Sequence, residues 1–194
     1  HEPIEQLAAI RSVPGMTIFR PCDANETTQA WAYAMEHGGP VGLALTRQNL
    51  PTLDRNVYGP AAGLRRGGYV LACETRTDAL ELILIATGSE VQLAVAAHAA
   101  LEKEGRSVRV VSLPSFELFE AQDAAYRDSV LPPGVTRRLG IEAASPFGWD
   151  RYVGPAGRFI GMRSFGASAP DKVVAEKFGF TVENVLKNAR EMLG

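Results

Sequence analysis

The stretch "LELILIATGSE", residues 80–90, decides the fold that this sequence predicts. Its apolar run from Leu82 to Ala86 has the length of one strand, and a run without polar alternation is typical of a strand covered on both faces. The Thr87-Gly88-Ser89 turn leads into "SEVQLAVAAHAALEKEG", residues 89–105, which has the pattern of an amphipathic helix. A buried strand that runs directly into a helix indicates an α/β fold.

Strand and helix patterns alternate on both sides of this stretch. Upstream, "MTIFRP" and "PVGLALTR" are the expected strands, and "DANETTQAWAYAMEHGG" between them is a helix with Asp23 as its N-cap and Glu26 three residues on. The remaining expected strands are "YVLAC", "SVRVVSLP", "RRLGIEAA" and "RFIGMRSFG". The remaining expected helices are "HEPIEQLAAIRSVPG", "APDKVVAEKFG" and "TVENVLKNAREMLG", and "ELFEAQDAAYRDSVLP" is expected to contain short helical pieces. This alternation predicts a mainly parallel sheet.

Residues 49–68, "NLPTLDRNVYGPAAGLRRGG", interrupt the alternation. They are rich in Pro, Gly and Arg and have no sustained hydrophobic period. Because structureless loops of this length are uncommon inside a compact domain, we predict a linker and a domain boundary here.

The composition excludes several classes of function. The 194 residues are 46% hydrophobic and carry a formal net charge of −2, so no broad basic field favours nucleic acid as a partner. No stretch approaches the roughly 18 apolar residues that a membrane span needs. Cys22 and Cys73 are far apart, which fits a reducing cytoplasm. The chain begins at His1 without an initiator Met or a signal-peptide pattern, so we expect it to be part of a longer protein.

The common nucleotide and hydrolase motifs are absent from the sequence. There is no GxxxxGK[ST], no GxGxxG and no GxSxG. The three histidines are not at metal-ligand spacing, so no metal site is predicted. Thr87 and Ser89 precede a helix, where they could bind an anion, but we expect one of them to cap the helix.

Two further positions allow both a structural and a functional interpretation. Arg47 follows "VGLAL" at the expected carboxyl end of a parallel strand, where α/β proteins bind ligands. Its guanidinium could grip a phosphate with two hydrogen bonds, or it could pair with a carboxylate such as Asp54. Glu142 and Trp149 could line a pocket, but we expect a strand-end carboxylate beside a packed tryptophan.

Seven motifs occur in an order and spacing that resemble those of transketolases. They are "RPCDANE", "LTRQNLP", "RGGYVL", "LIATGSEV", "RVVSLPS", "YRDSVLP" and "FGFTVENV". The resemblance runs from His1 to Leu193 and covers the last third of such a chain. The start, "HEPIEQL", is similar to the family's "DGPTHQPIEQL", with Glu2 in place of the usual glutamine.

The resemblance implies a thiamine-diphosphate enzyme of the pentose phosphate pathway, located in the cytoplasm. Such an enzyme moves a two-carbon ketol unit from a ketose phosphate to an aldose phosphate, and the cofactor supplies the carbon–carbon chemistry. The family's motifs assign the grip on the sugar phosphate to Arg47. They assign a catalytic and substrate-binding role to His1, which would lie near the thiazolium and hydrogen-bond oxygens of the bound ketol.

The resemblance also implies an architecture. Residues 1–61 would be the end of the pyrimidine-binding middle domain, and residues 62–194 would be the C-terminal domain, a three-layer α/β/α structure with a mixed, mostly parallel sheet. Thiamine diphosphate and its divalent metal, Mg²⁺ or Ca²⁺, would bind the N-terminal and middle domains of the parent homodimer. We therefore expect no cofactor or metal on this chain and no activity from the chain alone.

Two alternatives remain open from the sequence. Deoxyxylulose-phosphate synthases and the E1 part of 2-oxo acid dehydrogenases share the C-terminal domain fold, but "LTRQNLP" together with "FGFTVENV" favours transketolase. A free-standing α/β binding or assembly module belongs to another class, and the missing initiator Met argues against it.

Overall fold

A computed structural model describes residues 2–76 and 79–194, while His1, Thr77 and Asp78 lie outside the described residues. The strands are β1 Thr17–Phe19, β2 Val41–Leu43, β3 Tyr69–Ala72, β4 Leu82–Ala86, β5 Val108–Ser112, β6 Arg138–Ile141 and β7 Arg158–Ile160. The helices are α1 Gln6–Arg11, α2 Ala24–Glu36, α3 Val91–Lys103, α4 Phe116–Glu120, α5 Ala124–Val130, α6 Asp150–Val153, α7 Asp171–Phe178 and α8 Val182–Leu193. Short 3-10 turns span Ala61–Arg66 and Gly88–Glu90.

The larger sheet has five strands in the order β3-β5-β4-β6-β7. Strands β4 to β7 are parallel, and β3 joins the edge antiparallel to β5. This confirms the expected mixed, mostly parallel sheet. The run that predicted a buried strand is β4, and it lies at the centre of the sheet with all of its residues buried.

Alternate residues of β4 enter two different cores. Leu82 and Leu84 pack in the core that contains α3 and α8, whereas Ile83 and Ile85 pack in the core on the opposite face. The second core is rich in aromatic rings, with Phe116 of α4 at 5.4 Å from Trp149 and 4.7 Å from Tyr152 between ring centroids. Helices therefore cover both faces of the sheet, which confirms the three-layer α/β/α prediction.

The N-terminal part forms a smaller unit around β1 and β2, which pair in parallel as a two-stranded sheet. Helix α2 connects them, and the Asp23 carboxylate accepts a hydrogen bond from the Glu26 amide at 2.8 Å. This contact confirms the expected N-cap. Helix α1 spans Gln6–Arg11, which is only the middle of the stretch "HEPIEQLAAIRSVPG" that the sequence predicted as a helix.

The segment 49–68 is fixed against both parts of the molecule. Leu53 and Leu64 are buried, and residues from Ala61 form a 3-10 turn that the sequence pattern did not indicate. Gly67 ends this turn with φ of +83°, and a β-carbon there would lie 2.1 Å from the Phe119 amide nitrogen. Glycine is therefore required at this close approach of two backbones.

Helix α6 is a further element that sequence patterns missed, since four residues show no helical period. Within residues 2–76 and 79–194, no helix combines the length and the apolar character needed to cross a bilayer.

Candidate functional site

A cavity of about 680 Å³ opens where the loop after β2 approaches the start of α3 and the segment before α7. Arg47 lines this cavity together with its neighbours Thr46, Gln48 and Asn49. The other lining residues include Glu2, Pro3, Ser89, Glu90, Ala143, Ser168, Asp171 and Lys172.

The structure places Arg47 as the sequence predicted, in the loop that follows a parallel strand. The Ala44 amide still bonds to the Phe19 carbonyl at 2.8 Å, and the chain then leaves the sheet. Arg47 is exposed, and among the described residues no carboxylate lies within salt-bridge distance of it. Asp54, the partner considered from the sequence, instead accepts bonds from the backbone and side chain of Asn56. The Arg47 guanidinium is therefore available to an anion.

The cavity contains further charges that modify its preference. Lys172 adds a second cation, and Asp171 precedes it at the start of α7. Glu90 is already neutralised, because Arg20 donates to its carboxylate at 2.6 Å. Two basic side chains, Arg47 and Lys172, and two carboxylates, Glu2 and Asp171, thus line a space that suits a small polar ligand.

Beside the cavity lies a buried group of charges that we call the arginine–glutamate cluster: Arg11, Arg20, Glu90 and Glu142. Arg11 grips the Glu142 carboxylate with two hydrogen bonds of 2.9 and 2.8 Å, and Arg20 reaches it at 3.4 Å. The Trp149 indole donates to the same carboxylate at 2.7 Å, which confirms the expected pairing of Glu142 with Trp149. No sequence pattern indicated the two arginines, because Arg11 and Glu142 are 131 residues apart.

The pKa values in this cluster follow from its balance of charge. Burial disfavours the Glu142 carboxylate, but Arg11 and then Arg20 outweigh burial and hold the pKa of Glu142 below its ordinary value. Burial also opposes the charged Arg20 guanidinium, yet Glu90 and Glu142 raise its pKa. Both charges are therefore kept in the folded protein.

The cluster fills a position where α/β proteins commonly bind ligands. Glu90 and Glu142 follow the adjacent parallel strands β4 and β6, so they meet at the carboxyl ends of these strands. Arg20 enters this crevice from the N-terminal part and lies against Gly88, where a β-carbon would be 2.8 Å from the Arg20 Cζ atom. The open cavity lies beside this cluster and is lined by Glu90 and by Arg47.

A second buried group, which we call the Glu26 cluster, consists of Glu26, Tyr69 and Ser112 with Asp23 and Arg55. The Tyr69 and Ser112 hydroxyls each donate to Glu26 at 2.7 Å, and the Cys22 amide donates at 2.8 Å. Arg55 binds both oxygens of Asp23 at 2.9 Å and also donates to the Tyr69 hydroxyl. Burial raises the pKa of Glu26, and the hydrogen bonds from Ser112, Cys22 and Tyr69 offset only part of that effect.

Two other sequence-based expectations have different outcomes. His1 lies outside the described residues, so its expected role stays a prediction. The expected cap by Thr87 or Ser89 is wrong: the Thr87 hydroxyl donates to the Arg20 carbonyl, and the Ser89 hydroxyl donates to Glu90. Both hydroxyls are directed to Arg20 and Glu90, which meet at this turn, and neither bonds to a helix amide.

The described residues do not offer the ligands that a diphosphate with a divalent metal needs. Mg²⁺ and Ca²⁺ require several oxygen ligands, and residues 2–76 and 79–194 contain no group of three or more His, Cys, Asp or Glu side chains arranged to hold a metal.

Comparison with protein families places most of the chain in one family. Residues 67–181 match the transketolase-like C-terminal domain, and residues 1–52 match the transketolase pyrimidine-binding domain. A transketolase from Staphylococcus epidermidis is 52% identical over 193 residues, which is 99% of this chain and 29% of the relative. The chain thus spans 29% of the length of that curated relative.

Solved structures agree. Transketolase from Leishmania mexicana superposes on this chain with a TM-score of 0.89 at 42% sequence identity. The superposition covers 100% of this chain and 27% of the Leishmania mexicana chain. A transketolase from Pichia stipitis in complex with sedoheptulose 7-phosphate gives 0.88 at 40% identity, with the same coverage. These matches do not favour the other thiamine-diphosphate enzymes or a free-standing binding module. With its two family domains, its close relatives and its mixed sheet, this chain belongs to the transketolase family.

Proposed function

We propose that this chain is part of a transketolase. Such an enzyme transfers a two-carbon ketol unit from a ketose phosphate to an aldose phosphate in the pentose phosphate pathway. The chain's part is to hold the phosphate of the sugar through Arg47. The observation that carries the proposal is the exposed Arg47 guanidinium in the cavity of about 680 Å³ after β2. The Pichia stipitis relative, solved with a sugar phosphate, supports the choice of ligand.

The chemistry of Arg47 suits this role. A guanidinium donates two parallel hydrogen bonds to a phosphate, and such charge-assisted bonds contribute about 1.5–3 kcal/mol each. Holding the phosphate at one end of the sugar fixes the position of the carbon that reacts at the other end. Lys172 in the same cavity adds attraction for a dianion without a fixed geometry.

The remaining parts of the proposal rest on the family. Residues 1–61 form the end of the pyrimidine-binding domain and residues 62–194 the C-terminal domain, a division that the two matched regions, 1–52 and 67–181, support. His1 hydrogen-bonds the ketol oxygens, and Glu2 and Pro3 beside it in sequence line the cavity. The enzyme works in the cytoplasm as a homodimer.

Thiamine diphosphate, bound with Mg²⁺ or Ca²⁺ by the other domains of the enzyme, supplies the carbon–carbon chemistry. This chain by itself is expected to show no ketol transfer, because its described residues lack the metal ligands. Ketol transfer by the purified chain, measured with a coupled assay, would contradict this part of the proposal.

The test compares binding of ribose 5-phosphate and ribose to the chain by titration calorimetry. Arg47→Ala removes both charge-assisted bonds and is expected to weaken binding of ribose 5-phosphate roughly a hundredfold or more, and to leave binding of ribose unchanged. Arg163→Ala removes an exposed arginine outside the cavity and is the matched control. Unchanged binding of ribose 5-phosphate to Arg47→Ala would refute the proposed role.

A further inference from the structure

The loop that carries Arg47 has little attachment of its own. Its last backbone contact with the sheet is the bond from Ala44 to Phe19. Within the described part of the chain, residues 45–52 form no backbone–backbone hydrogen bond. A guanidinium on such a segment can bind a phosphate in a fixed geometry only if another group holds the loop.

Gln92 supplies that attachment. Its side-chain amide nitrogen donates to the Pro51 carbonyl at 3.3 Å and to the Cys22 carbonyl at 3.3 Å. Both protons of the amide are thereby used, and the side chain joins the first turn of α3 to the Arg47 loop and to the turn before α2. In the described residues, this is the one hydrogen bond that a side chain outside 45–52 makes to that segment.

The start of helix α3, which carries Gln92, is held by several hydrogen bonds. Helix α3 starts directly after Glu90, which Arg20 holds at 2.6 Å, and the Gly88 amide bonds to the Arg20 carbonyl at 2.9 Å. On the far side of Pro51, Leu53 is bound through its amide to Asp23 at 3.0 Å and through its carbonyl to Asn25 at 3.1 Å. Residues 45–50 therefore span between fixed points at Ala44 and Pro51, with Arg47 near the middle.

We propose that Gln92 is a positioning residue for the phosphate site: it holds the loop so that the Arg47 guanidinium faces the cavity. This inference rests on the proposed function of Arg47 and adds a residue from the second family domain to the substrate site. It also predicts a selective effect. Loss of the Gln92 amide weakens the binding of ligands that carry a phosphate and leaves the binding of the unphosphorylated sugar unchanged.

The test uses Gln92→Met, which keeps the length of the side chain and removes both donors. The Pro51 carbonyl is exposed and can bond to water instead, whereas the carbonyl of buried Cys22 loses its donor, so the folding of the variant is checked by circular dichroism before its affinity is compared. Calorimetry with ribose 5-phosphate should show binding weakened on the order of threefold to tenfold, the range of a coupled neighbouring contact, while ribose is unaffected. Gln122→Met is the matched control, because Gln122 bonds to Leu118 and Arg66 away from the cavity.

The double variant Arg47→Ala/Gln92→Met separates positioning from a general structural role. If Gln92 acts through Arg47, the double variant binds ribose 5-phosphate no more weakly than Arg47→Ala. Additive losses, or equal weakening of ribose, would overturn the inference. If Gln92→Met binds ribose 5-phosphate with unaltered affinity while Arg47→Ala binds it more weakly, the role of Gln92 is overturned and the proposed role of Arg47 stands. An unaltered affinity in Arg47→Ala would overturn the proposed function and this inference with it.

Discussion

Glu142 and Glu26 are both fully buried carboxylates, yet the protein shifts their pKa values in opposite directions. Glu142 is held by two arginines, and its pKa is lowered. Glu26 receives only hydroxyl and amide donors, and its pKa is raised because burial dominates. The comparison teaches that the partner, rather than the depth of burial, decides whether a buried carboxylate keeps its charge.

The two clusters also share a task. Each joins the N-terminal part to the five-stranded sheet: Arg11 and Arg20 reach Glu142, while Glu26 reaches Tyr69 and Ser112. Glu90 of the arginine–glutamate cluster lines the cavity of Arg47, and Asp23 of the Glu26 cluster binds the Leu53 amide after the Arg47 loop. Two polar clusters therefore join parts of the chain that match two different family domains, and the proposed phosphate site around Arg47 contains residues of both parts.

The largest expected effect comes from removing the charge of Glu142. Glu142→Gln leaves the buried Arg11 without an ionised partner and Arg20 with Glu90 alone, and unpairing a buried ion pair costs about 3–5 kcal/mol. The free energy of unfolding, measured by urea denaturation with circular dichroism at neutral pH, should fall by that amount. Glu183→Gln on the exposed face of α8 is the control. A loss below about 1 kcal/mol, the size of an average substitution, would show that the arginines do not depend on this charge.

The pH dependence of stability should distinguish the two carboxylates directly. The folded-state pKa of Glu26 lies above the ordinary 4.5, so its stabilising contribution is full below that pH and is lost as the pH rises through the folded value. Glu26→Gln should remove a slope of at most about 1.4 kcal/mol per pH unit above pH 4.5. For Glu142 the sign is reversed, because a lowered pKa gives stability that is lost as the pH falls through the folded value.

The measurement is a series of urea denaturations from acidic to neutral pH for wild type, Glu26→Gln and Glu142→Gln. Glu176→Gln, on the exposed side of α7, controls for the loss of one carboxylate. If the wild type and Glu26→Gln show parallel curves above pH 4.5, Glu26 is ionised in the folded protein and the contrast with Glu142 fails.

Much of the fold, and one residue of the site, could be predicted from short patterns. The apolar run of β4 and the Asp23 cap depend on neighbours within a few residues, and both predictions are confirmed. The position of Arg47 after a strand followed from the same local pattern. The absence of an ion pair between Arg47 and Asp54 could not be predicted, since nothing in the sequence shows that Asp54 accepts a hydrogen bond within its own turn.

The clusters could not be predicted because their partners are distant in the sequence. Glu26 and Ser112 are 86 residues apart, and Arg11 and Glu142 are 131 residues apart. No periodicity or spacing relates such positions, and only the packed fold brings them together. The wrong expectation for Thr87 and Ser89 has the same origin: a capping pattern is local, but Arg20, which redirects Thr87, comes from another part of the chain.

The smallest effect is expected where the same kind of ion pair is not buried. Arg65 and Glu36 also connect the linker region to α2, but their side chains are 36% and 63% exposed. Arg65 lowers the pKa of Glu36, and solvent screens the attraction. Arg65→Gln should leave the melting temperature unchanged within error, at low and at high salt. A clear drop in the melting temperature that disappears at high salt would show that an exposed ion pair stabilises this junction. Burial would then not explain why the arginine–glutamate cluster contributes more to the free energy of unfolding.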